Sequence, residues 1–317
     1  MRSRKIIITI LAICAVLSCI AAVVAISSGQ IIRKEKNKLV DVTPAKASDS
    51  TKETVQPTED ATQEPTQDPT QEPTQEPTQE PTQEPTQSPV QTVDVSGIDP
   101  NKPIVALTFD DGPAFRRSSE SQSSTQRILA TLEKYHSHAT FFVVGSMNVD
   151  FLPEEEAAGH EIGNHTMTHQ SNFKKVDIDK VREEIDSLEN IVRDKTGKGT
   201  YLVRPPWGAY TQEVLDKIPH PMILWSVDTL DWQSKDKDAV FKVVKKEVFD
   251  GAIVLMHDIH ASTADAVELV VPWLIEQGYQ ITSVSEMFEA RGIPLEAGHA
   301  YSKCTPKMME EAQNGNG

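Results

Sequence analysis

The feature that most limits how this chain folds is a proline at every fourth position from Pro65 to Pro89, where seven Thr-Gln-Glu-Pro-type tetrapeptides run from Thr62. Each proline removes a backbone donor and holds its preceding residue extended, while the repeated acids repel one another. Apolar periodicity is nearly absent from Asp41 to Ser96, so a disordered, solvated stalk is expected. The repeats alone would reach roughly 85 Å at about 3.1 Å per residue. A plain tether and a spacer of set length fit this composition equally well. The expected organisation is a membrane anchor over residues 1–32, the acidic stalk over 33–97, a folded domain over 98–292 and a C-terminal tail over 293–317.

Ahead of the stalk, Ile6 to Ile26 is an uncharged apolar run behind Arg2, Arg4 and Lys5. About 20 apolar residues suffice to cross a bilayer, whereas the apolar region of a cleaved signal peptide spans about 7 to 15. An uncleaved single-pass transmembrane helix is therefore expected in the cell membrane, with secretion instead if the chain is cut near Val23-Val24-Ala25. Arg33, Lys34, Lys36 and Lys38 follow the run, so flanking charge does not set its orientation. The stalk does: a spacer of this kind serves a head held outside the membrane.

Charge is uneven. Residues 1–40 carry +6, residues 41–96 carry −10 and residues 97–317 carry −12, which sum to the net −16. An acidic head excludes nucleic acid as a natural partner. Cys14 and Cys19 lie in the apolar run and Cys304 stands alone, so no disulfide framework exists and the head must rest on a hydrophobic core. It is expected to be a monomer.

Within the head, short β-branched runs alternate with amphipathic ones. Ile104 to Thr108 precedes Thr125 to Tyr135, Ala139 to Val144 precedes Leu152 to Ala158, and Glu161 to Asn164 precedes Asp177 to Lys195. Tyr201 to Arg204, Met222 to Val227, Ala252 to His257 and Gln280 to Ser283 continue the strands. This rhythm implies an α/β fold of parallel strands with right-handed crossovers, either an open sheet or a closed barrel. The helix from Asp177 places Val181, Ile185, Leu188 and Val192 on one apolar face, which reads as core with no chemistry of its own.

Five polar motifs end apolar runs: Thr108-Phe109-Asp110-Asp111-Gly112-Pro113, His165-Thr166-Met167-Thr168-His169, Arg204-Pro205-Pro206-Trp207-Gly208, Asp228-Thr229-Leu230-Asp231-Trp232 and Leu255-Met256-His257. In a helical turn, histidines four apart face one side at about 6 Å and can share a metal, although such a pair alone is more often a surface coincidence. Asp110 and Asp111 point apart on a straight strand, and Gly112-Pro113 supplies a bend; by itself, Asp-Asp-Gly-Pro suits an ordinary turn equally well. His260 follows His257 at helical spacing and is the one other histidine with a claim on the site.

In this order the motifs resemble those of the polysaccharide deacetylases, the NodB-homology proteins of carbohydrate esterase family four, over roughly residues 100–292. The resemblance implies a distorted (β/α) barrel, often seven-stranded, with its site at the C-terminal strand ends. It implies a divalent metal on Asp111, His165 and His169, with zinc expected and cobalt or manganese the other ions such ligands take. It makes Asp110 the general base and His257 the general acid, with Asp231 orienting His257 and Arg204 fixing Asp110. Pro206, Trp207, Trp232 and Leu255 would line the substrate groove, and the Trp207 N–H would bind the oxyanion. Two departures stand out: Trp207 where the family usually has tyrosine, and a long Ser-rich stretch from Ala114 to Thr125. The expected activity is removal of N-acetyl groups from a cell-wall polysaccharide, with peptidoglycan amino sugars as substrate. Chitin oligomers, O-acetylated xylan and an inactive carbohydrate-binding head are the alternatives.

Overall fold

The computed structural model describes residues 93–169 and 172–315. The apolar run at Ile6 to Ile26 and the proline repeats lie outside these residues. No helix among the described residues is long and apolar enough to cross a membrane.

Strand β1 (Ile104–Asp110) is buried along its whole length, as the central strand of a parallel sheet covered on both faces must be. One edge of β1 pairs in parallel with β6 (Ala252–His257), bringing Asp110 opposite His257. The other edge is shared. β7 (Gln280–Thr282) takes its first half and β2 (Thr140–Val143) its second. β2 passes the pairing to β3 (Glu161–Asn164), and Asn164 bridges to Val203, which bridges to Met222 of β4 (Met222–Ile223). The chain then reaches β5 (Val227–Asp228), which pairs with β6. Parallel pairings thus run from β5 through β6, β1, β2, β3 and Val203 to β4, the chain itself completes the circuit from β4 back to β5, and the C-terminal strand ends face one side. The expected alternation of strands and helices around a parallel sheet is present.

Alternate residues of β1 serve two cores. Val105, Leu107 and Phe109 join one with α1 (Ser124–Lys134) and α7 (Ala261–Glu276), through Ile128, Leu132, Val267 and Val271. Ile104 and Ala106 join the other, with Phe142, Ile223, Ile253 and Phe288. The remaining helices are α2 (Leu152–Ala157), α3 (Ile178–Thr196), α4 (Gln212–Lys217), α5 (Asp231–Ser234), α6 (Lys237–Glu247), α8 (Val284–Ala290) and α9 (Pro306–Gly315). Their ends follow local chemistry: Ser123 and Gln126 form a capping box on α1, and Gly197 closes α3 in the left-handed region.

Three expectations need correction. Residues 293–317 do not behave as a tail over their described part, because β8 (Ala300–Tyr301) pairs with β4 and Met308 and Met309 of α9 pack on the second core. Cys304 is buried there, and the Arg291 guanidinium donates to its carbonyl. Tyr201 to Arg204 makes only two isolated bridges, both at Val203, and the run from Met222 breaks between β4 and β5. These short pieces are held by a few backbone hydrogen bonds, such as Arg204 N to the Asn164 carbonyl and Ile223 N to the Val203 carbonyl, and by the Arg204 side chain, rather than by extended ladders.

Removing residues 293–317 would uncover Phe288, which packs on Tyr301, and the face of the second core that Met308 and Met309 cover. At about 25 cal/mol per Å² of apolar surface, the loss should reach several kcal/mol. A thermal melt of the shortened chain should show a clearly lower midpoint; an unchanged midpoint would mean that the segment adds no stability.

Candidate active site

All five motifs emerge at the strand ends on one side of the circuit, and the backbone bends at each. Asp110 is the last residue of β1, while Asp111 adopts φ 73° and turns its carboxylate out of the strand. Such a left-handed conformation is costly for a residue with a Cβ and recurs at functional turns. The two adjacent acids therefore turn to different main partners, although Asp110 Oδ2 also lies 3.5 Å from His165 Nε2. Asp110 is buried, and its Oδ1 accepts from Arg204 Nη1 at 2.6 Å. Asp111 Oδ1 lies 3.6 Å from His165 Nε2 and 3.4 Å from His169 Nε2.

The two histidines do not lie on a helix. They follow β3 in an irregular turn with Thr166 at φ 75° and His169 at φ 55°. Their rings nevertheless converge, with centroids 4.8 Å apart. Side chains hold the turn where a helix would use backbone bonds. Asn164 Oδ1 accepts from Thr166 N, the Thr166 hydroxyl accepts from His169 N, and Glu184 on α3 accepts from Thr168 N and from the Thr168 hydroxyl. The helix read as pure core thus supplies a carboxylate that clasps the histidine turn, although Val181, Ile185, Leu188 and Val192 are buried as their spacing requires.

One donor oxygen of Asp111 and one donor nitrogen each of His165 and His169 lie within 4.8 Å of one another. Their protonation suits a cation. His165 Nδ1 lies 2.7 Å from the Arg204 carbonyl, which can only accept, so Nδ1 carries the proton and Nε2 presents its lone pair. Burial pushes the His165 pKa down to about 3, so the ring is neutral near pH 7, as a ligand must be. A carboxylate and two imidazoles with room beside them match the donor set of an open zinc-type site.

Arg204 is fully buried between elements. Nη1 reaches Asp110 and the Thr108 hydroxyl, Nε the Ile223 carbonyl at 3.1 Å and Nη2 the Leu224 carbonyl at 3.0 Å, with the guanidinium over the Phe142 ring. Burial raises the Asp110 pKa from its ordinary value, against the pull of Arg204, His257 and His169. The result is a stronger base than a solvated aspartate.

Across the cleft, Asp231 is fully buried and grips His257 twice, accepting from its backbone N–H at 2.7 Å and from Nδ1 at 2.9 Å. The Thr263 hydroxyl adds a third bond to Asp231 at 2.6 Å. Burial disfavours the charged imidazole, but the Asp231 bond and the charges of Asp231, Asp110 and Asp111 prevail and raise the His257 pKa to about 9. His257 is therefore protonated near neutrality, with Nε2 left to face the cleft.

The cleft encloses about 400 Å³. Trp207 and Trp232 form exposed walls at 60% and 49% of their full surface, and buried Leu255 forms the floor. Trp207 has φ 57° and packs edge-on against His169 at 4.8 Å. Pro206 is buried and starts the short turn that carries it, without lining the cleft. His260 caps α7 some 6.3 Å from the His257 ring and is not one of the converging donors. Sequence reasoning missed Trp225 among the lining residues and, as cleft-lining or supporting groups, Asp228, Glu184 and Thr263. Asp228 was within reach, since it opens the fourth motif; the others carry no local signal.

The polysaccharide deacetylase family pattern matches residues 97–219. A solved structure described as T48 deacetylase with substrate is 34% identical, with a TM-score of 0.58, and is matched over 100% of its chain and 67% of this one. The chain belongs to the polysaccharide deacetylase family. Among characterised members it is 35% identical to the peptidoglycan-N-acetylmuramic acid deacetylase PdaC of Bacillus subtilis over 61% of this chain, and 38% identical to the peptidoglycan-N-acetylglucosamine deacetylase PgdA of Listeria monocytogenes over 65%. It spans only 40% and 42% of the length of those two relatives.

Replacing Asp231 with Asn should lower the His257 pKa from about 9 toward the ordinary value of about 6.5, because the carboxylate that favours the imidazolium is gone. NMR titration of the His257 ring checks this, and an unmoved pKa would contradict the pairing.

Proposed function

We propose that this protein is a metal-dependent deacetylase that hydrolyses N-acetyl groups of a cell-wall polysaccharide, with peptidoglycan amino sugars as its substrate. The observation that carries this reading is the juxtaposition of the Asp111, His165 and His169 donor set with a buried base and an opposed imidazolium around one cleft. The named activities of the peptidoglycan deacetylase relatives support the substrate class.

A divalent cation on Asp111, His165 and His169, zinc on this reading, would supply Lewis acidity that polarises the acetyl carbonyl and activates water. Asp110 takes the proton of the attacking water, and Arg204 holds the carboxylate in place as it does so. The Trp207 N–H binds the oxyanion that develops on the carbonyl oxygen. His257 donates its Nε2 proton to the sugar nitrogen as the C–N bond breaks, and Asp231 stabilises the imidazolium until that transfer. One water is consumed, and acetate and a free amine result. Leu255 and Trp232 close around the acetyl methyl, while Trp207 presents a broad aromatic wall to the sugar.

The same proposal extends to place: the apolar run at Ile6 to Ile26 anchors the chain in the cell membrane, the proline-rich stalk spans outward, and the head acts outside the cell as a monomer. The support is the order of these segments in the sequence.

The test is acetate release from N-acetylglucosamine oligomers and from peptidoglycan fragments, with mass spectrometry to place the lost acetyl group on glucosamine or muramic acid. Chelation should abolish release and added zinc should restore it. Asp110→Asn and His257→Ala should each lower turnover by about 10² to 10⁴ with bound metal retained. Release from acetylated xylan alone, or near-normal activity of Asp110→Asn, would overturn the reading.

A further inference from the structure

Asp258, the residue after His257, has no part in the chemistry above, yet it joins three pieces of the site. Its side chain is fully buried. Oδ2 accepts from the Thr125 hydroxyl, and the Asp258 carbonyl accepts from the Ser124 hydroxyl, both in the first turn of α1. The Thr125 oxygen in turn accepts from Ala114 N at 2.9 Å. The carboxylate also fills the space over Gly112, where any Cβ would fall inside contact distance of both its oxygens. One side chain therefore connects the end of β6, the start of α1 and the turn from Asp111 to Ala114.

That turn gains from support outside it, because Asp111 sits at φ 73°, a left-handed conformation that aspartate visits more readily than most residues with a Cβ but still at a cost. On one side, Val144 N and Asn148 N hold the Gly112 and Pro113 carbonyls at 2.9 and 3.1 Å. Asp258 and Thr125 supply the other side. The arrangement is poor for stability alone, since Asp258 Oδ1 is buried with no hydrogen-bond partner and such a group weakens a fold. A costly polar group under a strained turn is what a site optimised for geometry rather than stability would keep.

We propose that Asp258 is a positioning residue, acting through Gly112 and Thr125, that holds the Asp111 turn in its cation-binding geometry. The proposal rests on reading Asp111, His165 and His169 as metal ligands. It also explains Gly112, whose missing side chain leaves room for the carboxylate. The end of the Ser-rich stretch acquires a role as well, because Ser124 and Thr125 pin that loop at its base.

The test is Co²⁺ titration of the metal-stripped full chain, read by visible absorption and compared with thermal unfolding. Outer supports of metal ligands typically change affinity by about 10- to 100-fold. Asp258→Ala and Thr125→Val should weaken Co²⁺ binding at least tenfold and alter its spectrum, while Asp258→Asn, which keeps the bulk and the acceptor, should stay within about threefold. Gly112→Ala should lose binding and recover part of it when combined with Asp258→Ala, because the clash is then gone. Wild-type affinity and spectrum in Asp258→Ala would overturn the proposal; should that variant not fold, Thr125→Val carries the same criterion. A His165→Ala, His169→Ala control separates the two readings. If it binds Co²⁺ as the parent does, the ligand assignment fails and takes the proposal with it. If only the control loses binding, the assignment stands and the positioning role is wrong.

Discussion

The Arg204 guanidinium, buried without exposure and bonded on every nitrogen, is the interaction on which the site depends. It fixes Asp110 and Thr108 on β1, donates to the carbonyls of Ile223 at the end of β4 and of Leu224 just beyond it, and stacks on Phe142 of β2. Its own carbonyl sets the tautomer of His165. The circuit is weakest here, where Val203 contributes single bridges rather than a ladder. A charge in this position is tolerable only because each guanidinium nitrogen is hydrogen-bonded and a counter-charge lies at 2.6 Å; removing one partner of such a pair typically costs about 3 to 5 kcal/mol. The Arg204 side chain therefore both reinforces this part of the sheet and orients the proposed base.

Opposite Arg204, the in-register pairing of β1 with β6 sets Asp110 across from His257. Each faces its own buried partner, Arg204 for the acid and Asp231 for the imidazole. A negative base and a positive acid can then coexist in a space of about 400 Å³. The strained backbone at Asp111, Thr166, His169 and Trp207 clusters on the same side, consistent with strain being stored where geometry matters most.

Much of this was legible in the sequence because strand ends are marked twice, by an apolar run and by the polar residues that stop it. Asp110, Asp111, His165, Arg204, Asp231 and His257 all stand at such ends, and the structure brings them together. The histidine spacing was readable as a pair but misleading as a helix, since side-chain bonds from Asn164, Thr166 and Glu184 outweigh the local preference. Glu184 and Thr263 act across 16 and 32 residues of sequence, and no local pattern announces a partner at that distance. The role of residues 293–315 was hidden for a related reason. β8 is two residues long, and its partner β4 lies far back in the chain.

The central claim, that Arg204 and Asp110 act as one unit, is tested most directly by a double-mutant cycle. The measurement is kcat/KM for acetate release from an N-acetylglucosamine oligomer by the parent, Arg204→Met, Asp110→Asn and the double variant. If the two residues form one unit, each single change lowers kcat/KM by at least about 10² and the double variant is scarcely worse than either. Losses that multiply, or an Arg204→Met variant within threefold of the parent, would contradict it.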